Sequence, residues 1–488
     1  MPSMRSNPSD VPERCDDQTV TSSLPPERGL FCNRTLNLRS VRAIGYDMDY
    51  TLIHYHVDEW ERAAFEHARA HLLTEGWPVA DLAFDPDAFT LGLTFDLDLG
   101  NLVKATRFGY VVRAQHGADV LSFDEQRRAY DGTVIELRDD RFEFMNTLFE
   151  LSRASLWTQL VAMHDQTPLP GIHSYVGLYR AIDRALGVAH LEGALKQQIV
   201  DDPERFVDRD PGLIDTLQDQ RLAGKQLLLV TNSEWWYTQK MMSWCFDGDM
   251  ESGQTWRDLF DIVIVAAAKP RFFEEQGPVY RLVDEAAGHL EPHVGPLEAG
   301  EVYHGGNARM VEQALGHETN QFLYVGDHLF GDVHVTKDVL RWRTALIARE
   351  IEAEVRAAAE FADDEHHLRA GMTTKIDLEQ QHAALRLRRR HLVVDGSDHA
   401  AVDADIEALA RQISAIDDAI APLARAAALQ GNANWGPLMR AGVDKSLFAR
   451  QVEKYADVYT SRVSNFAPAT PYGYLRAARG SLPHDTAE

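Results

Sequence analysis

Two aspartates, Asp47 and Asp49, directly follow a short apolar stretch at residues 43–46. We interpret that stretch as a buried strand that ends at the first carboxylate. Alternate side chains of an extended backbone point the same way, so Asp47, Asp49 and Thr51 begin on a common side. Mg²⁺ prefers oxygen ligands, a carboxylate can attack phosphorus, and a second carboxylate can move the proton. The alternative is an ordinary turn, because Asp is common in turns.

A second polar cluster, Thr231-Asn232-Ser233, follows an apolar run at 226–230 and precedes a predicted helix. Its hydroxyl groups, together with the free N–H groups at the start of that helix, are suited to holding a phosphate. The alternative is a simple helix N-cap, since these residue types are preferred there.

Two more clusters follow apolar runs later in the chain. Lys269 can neutralise charge on a transferred phosphoryl group, although a Lys at a strand end also reaches into solvent. Asp327 and Asp332 flank a Gly-bounded loop and are suited either to metal binding or to an acidic turn. Because the carboxyl ends of parallel strands share one edge of a sheet, the four clusters are predicted to meet in one crevice.

The elements that position these clusters alternate between strands and helices, which predicts an α/β fold with a doubly wound parallel sheet. Strands are predicted at 226–230, 262–266, 301–303, 321–325 and, as the last, 344–347. Helices are predicted at 59–75, 212–223, 401–428 and 445–466.

A block that is first β-like and then helical separates the first cluster from the second, and its length indicates an inserted lobe. We predict a disordered N-terminus at 1–28 and a Rossmann-like catalytic core at 29–100 and 206–370. An α+β cap for substrate recognition is predicted at 101–205, and a mainly helical C-terminal extension at 371–488.

The net charge of −26 disfavours non-specific binding to nucleic acid, which needs a basic face. The basic run at 386–390 is interpreted as a solvated helix face. Three scattered cysteines, Cys15, Cys32 and Cys245, indicate neither a disulfide framework nor a zinc site and fit a reducing compartment. No apolar run reaches membrane-spanning length, and the first 28 residues lack the apolar core of a signal peptide. We expect a cytoplasmic protein with no membrane partner.

The order Asp-x-Asp-x-Thr, strand-Thr, Lys and Gly-Asp-x₄-Asp resembles the haloacid dehalogenase-like superfamily. Motifs outside these clusters resemble the cytosolic purine 5′-nucleotidases that prefer IMP and GMP, from about residue 30 to about residue 475. They include Asn101-Leu-Val-Lys, Ala114-Gln-His-Gly, Asn146-Thr-Leu-Phe149, Tyr303-His-Gly-Gly306, Trp342-Arg-Thr344 and Gln451-x₃-Tyr455-Ala-Asp-x-Tyr459.

The resemblance implies a Mg²⁺-dependent phosphatase or phosphotransferase. Asp47 would be the nucleophile and Asp49 the general acid and base. Asp327 would bind Mg²⁺ with Asp47 and the main-chain carbonyl of Asp49, and Asp332 would support that site. The residues implied to hold the phosphate are Thr231, Asn232, Ser233 and Lys269.

For the base and ribose, the resemblance implies Phe149, Arg184, His190 and Lys196. An aromatic residue at 149 also suits the core, and a lone His is usually an ordinary hydrogen-bonded side chain. Two residues depart from the family pattern, because Glu150 stands in place of an Asn and Leu191 in place of a Tyr. A carboxylate donates no hydrogen bond at neutral pH, so the base preference follows less directly than the chemistry.

Eukaryotic members of the family have a nucleotide effector site, and five residues match parts of it: Arg138, Asn146, Phe330, Gln451 and Tyr455. Asp338 replaces a basic residue there, which argues against activation by an anion. The resemblance also implies a homo-oligomer, a dimer or a tetramer. The C-terminal aromatic residues could pack subunits together or cover the core's own flank; they are Phe448, Tyr455, Tyr459 and Phe466.

Together, the residues and the resemblance predict a hydrolase that removes the 5′-phosphate of purine nucleoside monophosphates, with IMP or GMP as the expected substrate. Transfer of the phosphoryl group to a nucleoside would use the same residues. Two alternatives stay open, namely a phosphatase for another phosphate ester and a non-catalytic nucleotide sensor built on the same fold.

Overall fold

A computed structural model describes residues 24–191, 193–478 and 480 of the chain. Most of the predicted disordered N-terminus therefore lies outside the described residues. Pro26–Arg28 form a short 3₁₀ turn, and Arg28 donates a hydrogen bond of 2.6 Å to the hydroxyl of Ser464. The predicted boundary at residue 28 is therefore a few residues too late, because this segment is held by the C-terminal part of the chain.

The strands of the described residues are β1 (Phe31–Cys32), β2 (Leu36–Asn37), β3 (Ala43–Tyr46), β4 (His54–Tyr55), β5 (Thr94–Asp96), β6 (Asn101–Ala105), β7 (Val111–His116), β8 (Asp119–Val120), β9 (Phe142–Phe144), β10 (Val207–Asp208), β11 (Gln226–Val230), β12 (Ile262–Val265), β13 (Val279–Asp284), β14 (His289–Pro292), β15 (Val302–Gly305), β16 (Phe322–Gly326), β17 (Arg343–Ile347), β18 (Arg440–Ala441), β19 (Asp444–Lys445), β20 (Val458–Thr460) and β21 (Tyr474–Leu475). The helices are α1 (Val57–Thr74), α2 (Phe123–Tyr130), α3 (Leu151–Gln166), α4 (Tyr175–Leu191), α5 (Ala194–Asp201), α6 (Pro203–Phe206), α7 (Leu213–Leu222), α8 (Trp235–Phe246), α9 (Arg271–Glu274), α10 (Ala308–Leu315), α11 (Ile351–Glu360), α12 (Ala362–Val394), α13 (Ala400–Ala428) and α14 (Leu447–Tyr455).

Ten strands form the central sheet, in the order β1-β20-β17-β16-β3-β11-β12-β15-β13-β14. Every neighbouring pair from β20 to β15 is parallel, and antiparallel pairs lie only toward the two edges. The predicted α/β fold with a mostly parallel sheet is confirmed. The strand that carries Asp47 and Asp49 at its end, β3, lies near the middle of this sheet.

Both faces of the sheet are covered by helices. Leu227 and Leu229 belong to one hydrophobic core, whereas Leu228 and Val230 belong to the other, because alternate side chains of a strand point to opposite faces. The first core includes residues of α1, α7 and α8, and the second includes residues of α9 and α10. Strands buried on both faces have continuous apolar sequences, which is why β11 and β12 could be predicted from composition alone.

The strand at 343–347 is not the last of the sheet, contrary to the prediction. β20 pairs with β17 in parallel, with Ala345 opposite Val458 and Ile347 opposite Thr460. The predicted helix at 445–466 is therefore divided, since α14 ends at Tyr455 and a strand follows. The apolar residues of the segment 445–466 are buried against the core. An apolar pattern of this kind is compatible with either a helix or a short strand, so it does not reveal where the helix ends.

The C-terminal aromatic residues cover the flank of their own core. Phe448, Tyr455 and Phe466 are 2%, 6% and 4% exposed, and the ring of Tyr459 stacks on that of Phe31 at 5.1 Å. Since the chain returns to the core after residue 429, the extension is mainly helical only in its first half, α12 and α13.

A second sheet of five antiparallel strands, in the order β8-β7-β6-β5-β9, lies between the first two polar clusters in the sequence. Helix α1 packs on α3 and α4, and α3 packs on β7. This unit therefore includes α1 and β5, which precede the predicted cap boundary at residue 101. The amphipathic pattern of α1 indicates that one face of the helix is buried. It does not indicate whether that face packs on the central sheet or on the inserted unit.

A two-stranded ribbon joins this unit to the central sheet. The chain enters the unit after β4 and leaves it through β10, and these two strands pair antiparallel with His54 opposite Asp208. The two connections therefore lie side by side.

Helices α12 and α13 form an antiparallel hairpin of 33 and 29 residues. The two helices approach closely at Gly371, where a Cβ atom would lie 2.5 Å from Cγ2 of Ile420. Lys375 Nζ lies 2.5 Å from Asp417 Oδ1 across the same seam. No residue of α12 is buried, so this described hairpin stands away from the core.

Within the described ranges, no helix combines the length and the apolar composition that a membrane span requires. The thiols of Cys32 and Cys245 are free, and Cys15 lies outside the described residues.

Candidate active site

The four polar clusters lie at the carboxyl ends of four neighbouring parallel strands, β16, β3, β11 and β12. Their side chains line a cavity of about 310 Å³. The lining includes Asp47, Asp49, Trp60, Phe149, Lys196, Thr231, Asn232, Ser233, Lys269, Asp327 and Asp332. The expected convergence follows from topology, because adjacent parallel strands end at the same edge of a sheet.

Lys269 lies between two carboxylates. Its Nζ atom is 2.7 Å from Oδ1 of Asp47 and 2.8 Å from Oδ1 of Asp332, and it also donates to the hydroxyl of Tyr324 at 3.2 Å. Burial lowers the pKa of Lys269, but the neighbouring Asp332 and Asp47 carboxylates outweigh it and hold that pKa well above its ordinary value. Lys269 is therefore a permanent cation in the floor of the cavity.

Asp47 continues the backbone pairing of β3. Its N–H donates to the carbonyl of Val325 at 2.9 Å, and its Oδ1 accepts from the N–H of Met48 at 2.8 Å. Burial raises the pKa of the Asp47 carboxyl, and the Lys269 ammonium group opposes that shift. The ion pair therefore favours the ionised form, which is the form that can act as a nucleophile.

Asp49 has different partners. Its Oδ1 accepts a hydrogen bond of 2.6 Å from the hydroxyl of Tyr55, and its Oδ2 accepts one of 2.7 Å from the hydroxyl of Ser233. Burial raises the pKa of Asp49, with the charge of Lys196 acting in the opposite direction. A carboxyl group with a raised pKa can carry a proton, which is what a general acid requires.

Three carboxylates form a cluster suited to a cation. Asp47, Asp327 and Asp332 each offer an oxygen atom within 4.8 Å of the others. Burial and the nearby charges of Asp47 and Asp332 hold the pKa of Asp327 well above its ordinary value, so a cation would relieve a real repulsion. A donor set made only of oxygen atoms fits Mg²⁺. Asp49 is not part of this cluster, and its two side-chain oxygens accept hydrogen bonds from Tyr55 and Ser233; the resemblance assigns its main-chain carbonyl to the metal.

The Thr231-Asn232-Ser233 segment organises the neighbouring loop. Oδ1 of Asn232 accepts from the N–H of Lys269 at 2.6 Å, and its Nδ2 donates to the Lys269 carbonyl at 3.1 Å. The hydroxyl of Thr231 accepts from the N–H of Ser233 at 3.0 Å. Ordinary helix capping does not account for these residues, because the N-cap position of α8 is Glu234.

Phe149 and Lys196 both lie on the cavity wall. The Phe149 ring packs edge-on against Tyr50 at 4.8 Å and Trp60 at 5.3 Å between centroids. Lys196 Nζ lies 2.6 Å from Oε2 of Glu234. One side of the cavity is therefore aromatic, and a paired cation lies on another.

Of the other two residues of the predicted base pocket, Arg184 is not among those that line this cavity. Arg184 is exposed on α4, because the buried residues Ala181, Ile182 and Ala185 turn the opposite face of that helix inward. His190 lies near the end of α4, and its side chain is outside the described part of the chain, as is that of Leu191.

Glu150 is occupied by neighbouring residues. Its Oε1 lies 2.9 Å from Arg153, and its Oε2 accepts from the N–H of Asn146 at 2.8 Å. Arg153 also contacts Asp183 at 2.7 Å. A paired carboxylate therefore stands at the position where the resemblance implies an amide.

Three of the five predicted effector residues lie along one connected path. Phe330 donates its backbone N–H to Oδ1 of Asn146 at 3.3 Å. The ring of His334 lies 5.5 Å from that of Phe330 and 4.0 Å from that of Tyr455.

The remaining two effector candidates differ in position. Gln451 lies on α14, one turn before Tyr455, whereas Arg138 is exposed in the segment between α2 and β9. Asp338 lies 3.2 Å from Nε2 of His334, so an acidic side chain stands at the edge of this region.

Sequence reasoning missed two tyrosines that hold catalytic side chains. Tyr55 bonds to Asp49, and Tyr324 bonds to Lys269 and to the carbonyl of Val230 at 3.0 Å. A signal for Tyr324 was present, because the residue opposite it on β3 is Gly45, where a Cβ atom would lie 2.8 Å from the Tyr324 ring. Glycine inside an apolar strand often marks such a close approach.

The chain was compared with known proteins. A sequence profile of the 5′ nucleotidase family matches residues 30–487. A 5′-nucleotidase domain-containing protein of Dictyostelium discoideum is 26% identical over 494 residues, covering 96% of this chain and 76% of that protein. The family assignment made from the motifs is therefore confirmed.

Solved structures give weaker likenesses. An archaeal β-phosphoglucomutase from Pyrococcus sp. strain ST 04 has 9% identity and a TM-score of 0.31, over 63% of this chain and 86% of that one. CbbY from Rhodobacter sphaeroides in complex with phosphate has 15% identity and a TM-score of 0.23 over the same shares of each chain. The chain belongs to the 5′ nucleotidase family, and it is a phosphoric monoester hydrolase.

Proposed function

We propose that this hydrolase removes the 5′-phosphate of purine nucleoside monophosphates, IMP or GMP, with Mg²⁺ and through an aspartyl-phosphate on Asp47. The observation that supports this best is the different setting of two carboxyl groups in one cavity. Asp47 lies beside the Lys269 cation, whereas Asp49 is held by Tyr55 and Ser233. Two carboxyl groups with different partners are suited to different roles, one as nucleophile and one as acid.

In the first step, a carboxylate oxygen of Asp47 attacks phosphorus. The bond between phosphorus and the 5′-oxygen breaks, and the electron pair goes to that oxygen. Asp49 gives its proton to the leaving oxygen, so a neutral nucleoside departs. Lys269 neutralises the negative charge that develops on the transferred group. Its ion pairs with Asp47 and Asp332 already hold the ammonium group in the cavity, so Lys269 does not have to move.

In the second step, the ionised Asp49 takes a proton from water, and the water oxygen attacks phosphorus. The bond to Asp47 breaks, and its electron pair restores the carboxylate as phosphate leaves. A nucleoside hydroxyl in place of water would give phosphotransfer with the same proton movements. Tyr55 and Ser233 hold Asp49 in one orientation through both steps.

The residues that would hold Mg²⁺ are Asp47, Asp327 and Asp332, together with the main-chain carbonyl of Asp49. Bound there, Mg²⁺ supplies positive charge that reduces the repulsion between the Asp47 carboxylate and an anionic phosphate. Thr147 supports this arrangement, since its hydroxyl lies 3.3 Å from Oδ2 of Asp327.

The aromatic wall favours a flat base over a small sugar. Phe149 and Trp60 both line the cavity, and an aromatic ring gives a base a stacking surface of the right size. The resemblance to cytosolic enzymes supports a cytoplasmic location for this activity.

A second candidate is a phosphatase for another phosphate ester, and Glu150 favours it. Its carboxylate is already paired with Arg153 and donates no hydrogen bond, whereas an amide at this position could both donate and accept. Turnover of a sugar phosphate faster than every nucleotide would replace the first proposal with this one.

The deciding experiment measures phosphate release from a panel of nucleoside monophosphates and sugar phosphates, with Mg²⁺ and with a chelator. We expect Mg²⁺-dependent release that is fastest with IMP or GMP. The Asp47→Asn variant should lose activity and should incorporate no label from a ³²P-labelled substrate. Retained hydrolysis in that variant would show that the covalent mechanism is wrong, and the absence of any turnover by the parent chain would favour a nucleotide sensor.

A further inference from the structure

A stripe of exposed apolar side chains runs along α12, outside the seam that this helix shares with α13. Met372, Ile376, Leu387 and Val394 are 41%, 48%, 59% and 75% exposed. Ala383 lies in the middle of the set and is also exposed. We use the name outer stripe for these five residues.

The spacing of the outer stripe puts its members on one side of the helix. They follow each other at intervals of four, seven, four and seven residues. Eleven residues make about three helical turns, so a pattern that repeats every eleven residues runs nearly parallel to the axis. From its first residue to its last, the stripe is about 33 Å long at 1.5 Å per residue.

The seam with α13 lies on a different side of α12. The half-buried positions along this seam are Leu368, Gly371, Lys375, Leu378, His382, Leu385 and Leu392, and Lys375 is paired with Asp417 of α13 there. On a helical projection at 100° per residue, the centre of this seam is about 130° away from the centre of the outer stripe. The outer stripe is therefore a second apolar surface, separate from the one that closes the hairpin.

We propose that a second copy of this chain covers the outer stripe, with the two α12 helices antiparallel across a two-fold axis at Ala383. Met372 and Val394 are each eleven residues from Ala383, so Met372 of one copy would lie against Val394 of the other. Ile376 lies seven residues before Ala383 and Leu387 lies four residues after it, so Ile376 of one copy would lie within one helical turn of Leu387 of the other. The small side chain at Ala383 lets the two backbones approach at the axis.

The charges beside the stripe fit the same arrangement. Glu379 and Arg386 flank the outer stripe on one side, and they lie four residues before and three residues after Ala383. A two-fold axis perpendicular to antiparallel helices keeps each flank on its own side, so Glu379 of one copy meets Arg386 of the other, twice. The side chain of Glu379 is 52% exposed. Its carboxylate lies 3.8 Å from the ammonium group of Lys375 on its own helix, which is longer than a hydrogen bond, so Glu379 is accessible to Arg386 of the second copy.

This arrangement is isologous, because the same patch is used by both copies and each contact occurs twice. The charges favour a second copy over an unrelated protein as the partner. Glu379 of one copy meets Arg386 of the other only when the two helices are antiparallel and centred at Ala383. The interface uses α12, and no residue of that helix lines the cavity that contains Asp47.

The first test is a cysteine placed on the two-fold axis of the full-length chain. In Ala383→Cys, the two thiols would face each other, so mild oxidation should give a covalent dimer on a non-reducing gel. Gln381→Cys is the matched control, because that exposed position points away from the outer stripe and should cross-link no more than the parent chain. Equal cross-linking of the two variants would overturn the proposed axis.

The second test exchanges the charges and follows the molar mass by light scattering over a range of concentrations. We expect Glu379→Arg and Arg386→Glu each to lower the fraction of dimer, and the double variant to restore it, because the pair is re-formed with its signs reversed. Phosphatase activity and helix content should stay at the parent level in all three. A parent chain that is monomeric at every concentration, or single variants that dimerise like the parent, would show that the proposal is wrong.

Discussion

The hydroxyl group of Tyr55 lies 2.6 Å from Oδ1 of Asp49, and the same hydroxyl lies 2.9 Å from that of Tyr237. Tyr55 belongs to β4, the strand through which the chain passes from the central sheet toward the inserted unit. The orientation of the proposed general acid is therefore coupled to the ribbon that joins the two units of the molecule.

Tyr55→Phe tests that contact. Loss of one hydrogen bond to Asp49 should lower kcat about tenfold, since such a bond contributes about 1–1.5 kcal/mol. Steady-state phosphate release would measure it. Tyr50→Phe is the matched control, because the Tyr50 hydroxyl is buried without a hydrogen-bond partner among the described residues. Equal losses in the two variants would assign the effect to packing.

Asp332→Asn tests the metal site. Removal of one negative charge from the three-carboxylate cluster should weaken Mg²⁺ binding about tenfold or more. Isothermal titration with Mg²⁺ measures this without any turnover, and a chelator should abolish the activity of the parent chain. Asp338→Asn removes an exposed carboxylate elsewhere and should leave the affinity for Mg²⁺ unchanged. If Asp332→Asn binds Mg²⁺ as tightly as the parent, the ligand assignment is wrong.

Phe149→Leu separates base recognition from phosphate chemistry. Loss of an aromatic contact of about 1–1.5 kcal/mol should raise KM for IMP about tenfold. The rate with a small substrate such as p-nitrophenyl phosphate should change little, because Asp47 and Asp49 are not altered. A parallel loss with both substrates would mean that Phe149 acts through packing against Tyr50 and Trp60.

Glu61 should make stability depend on pH. It is fully buried on α1, its Oε2 accepts from the N–H of Ser152 at 2.6 Å, and burial raises its pKa to about 7. Because the pKa is higher in the folded state than in the unfolded chain, the folded state binds more protons between about pH 4.5 and about pH 7. The contribution of Glu61 to the free energy of unfolding is fully present below about pH 4.5. It is lost as the pH rises to about 7, by about 3 kcal/mol at most.

Urea unfolding at about pH 5 and about pH 8 checks this expectation. Glu61→Gln keeps an acceptor for Ser152 but cannot ionise, so the difference between the two pH values should shrink in that variant. Glu59→Gln is a control on the same helix, since Glu59 is partly exposed and paired with Arg205. An unchanged pH dependence in Glu61→Gln would assign the slope to other groups.

The floor of the cavity could be predicted because each polar cluster follows a buried parallel strand, either directly or, for Lys269, after three alanines. Strands of this kind are continuous apolar runs, so their ends are visible in the sequence, and topology then brings Asp47, Thr231, Lys269 and Asp327 together. β20 was missed because Val458–Thr460 is only three residues long and follows a helix with similarly buried residues. Hydrophobic periodicity cannot identify a strand in so short a segment.

The wall of the cavity was harder to predict for a different reason. Arg184 was placed by resemblance alone, and the face of α4 that it occupies depends on how that helix packs on α1 and α3. Tyr55 is separated from Asp49 by a turn, and the hydrogen bond between them depends on how that turn folds back. Side chains that meet through tertiary packing have no fixed spacing in the sequence.

The pairing of β1 with β20 has a consequence for synthesis. Phe31 lies opposite Tyr459, and Cys32 lies opposite Val458, so one edge of the central sheet is built from two segments that are far apart in the sequence. The inserted unit can fold while translation continues, because its strands and helices are local. The edge of β17, which ends at Ile347, stays uncovered until β20 has been made at Val458–Thr460. The nascent chain therefore exposes the edge of a parallel strand while the intervening segment is synthesised, which makes that edge a candidate for chaperone binding during translation.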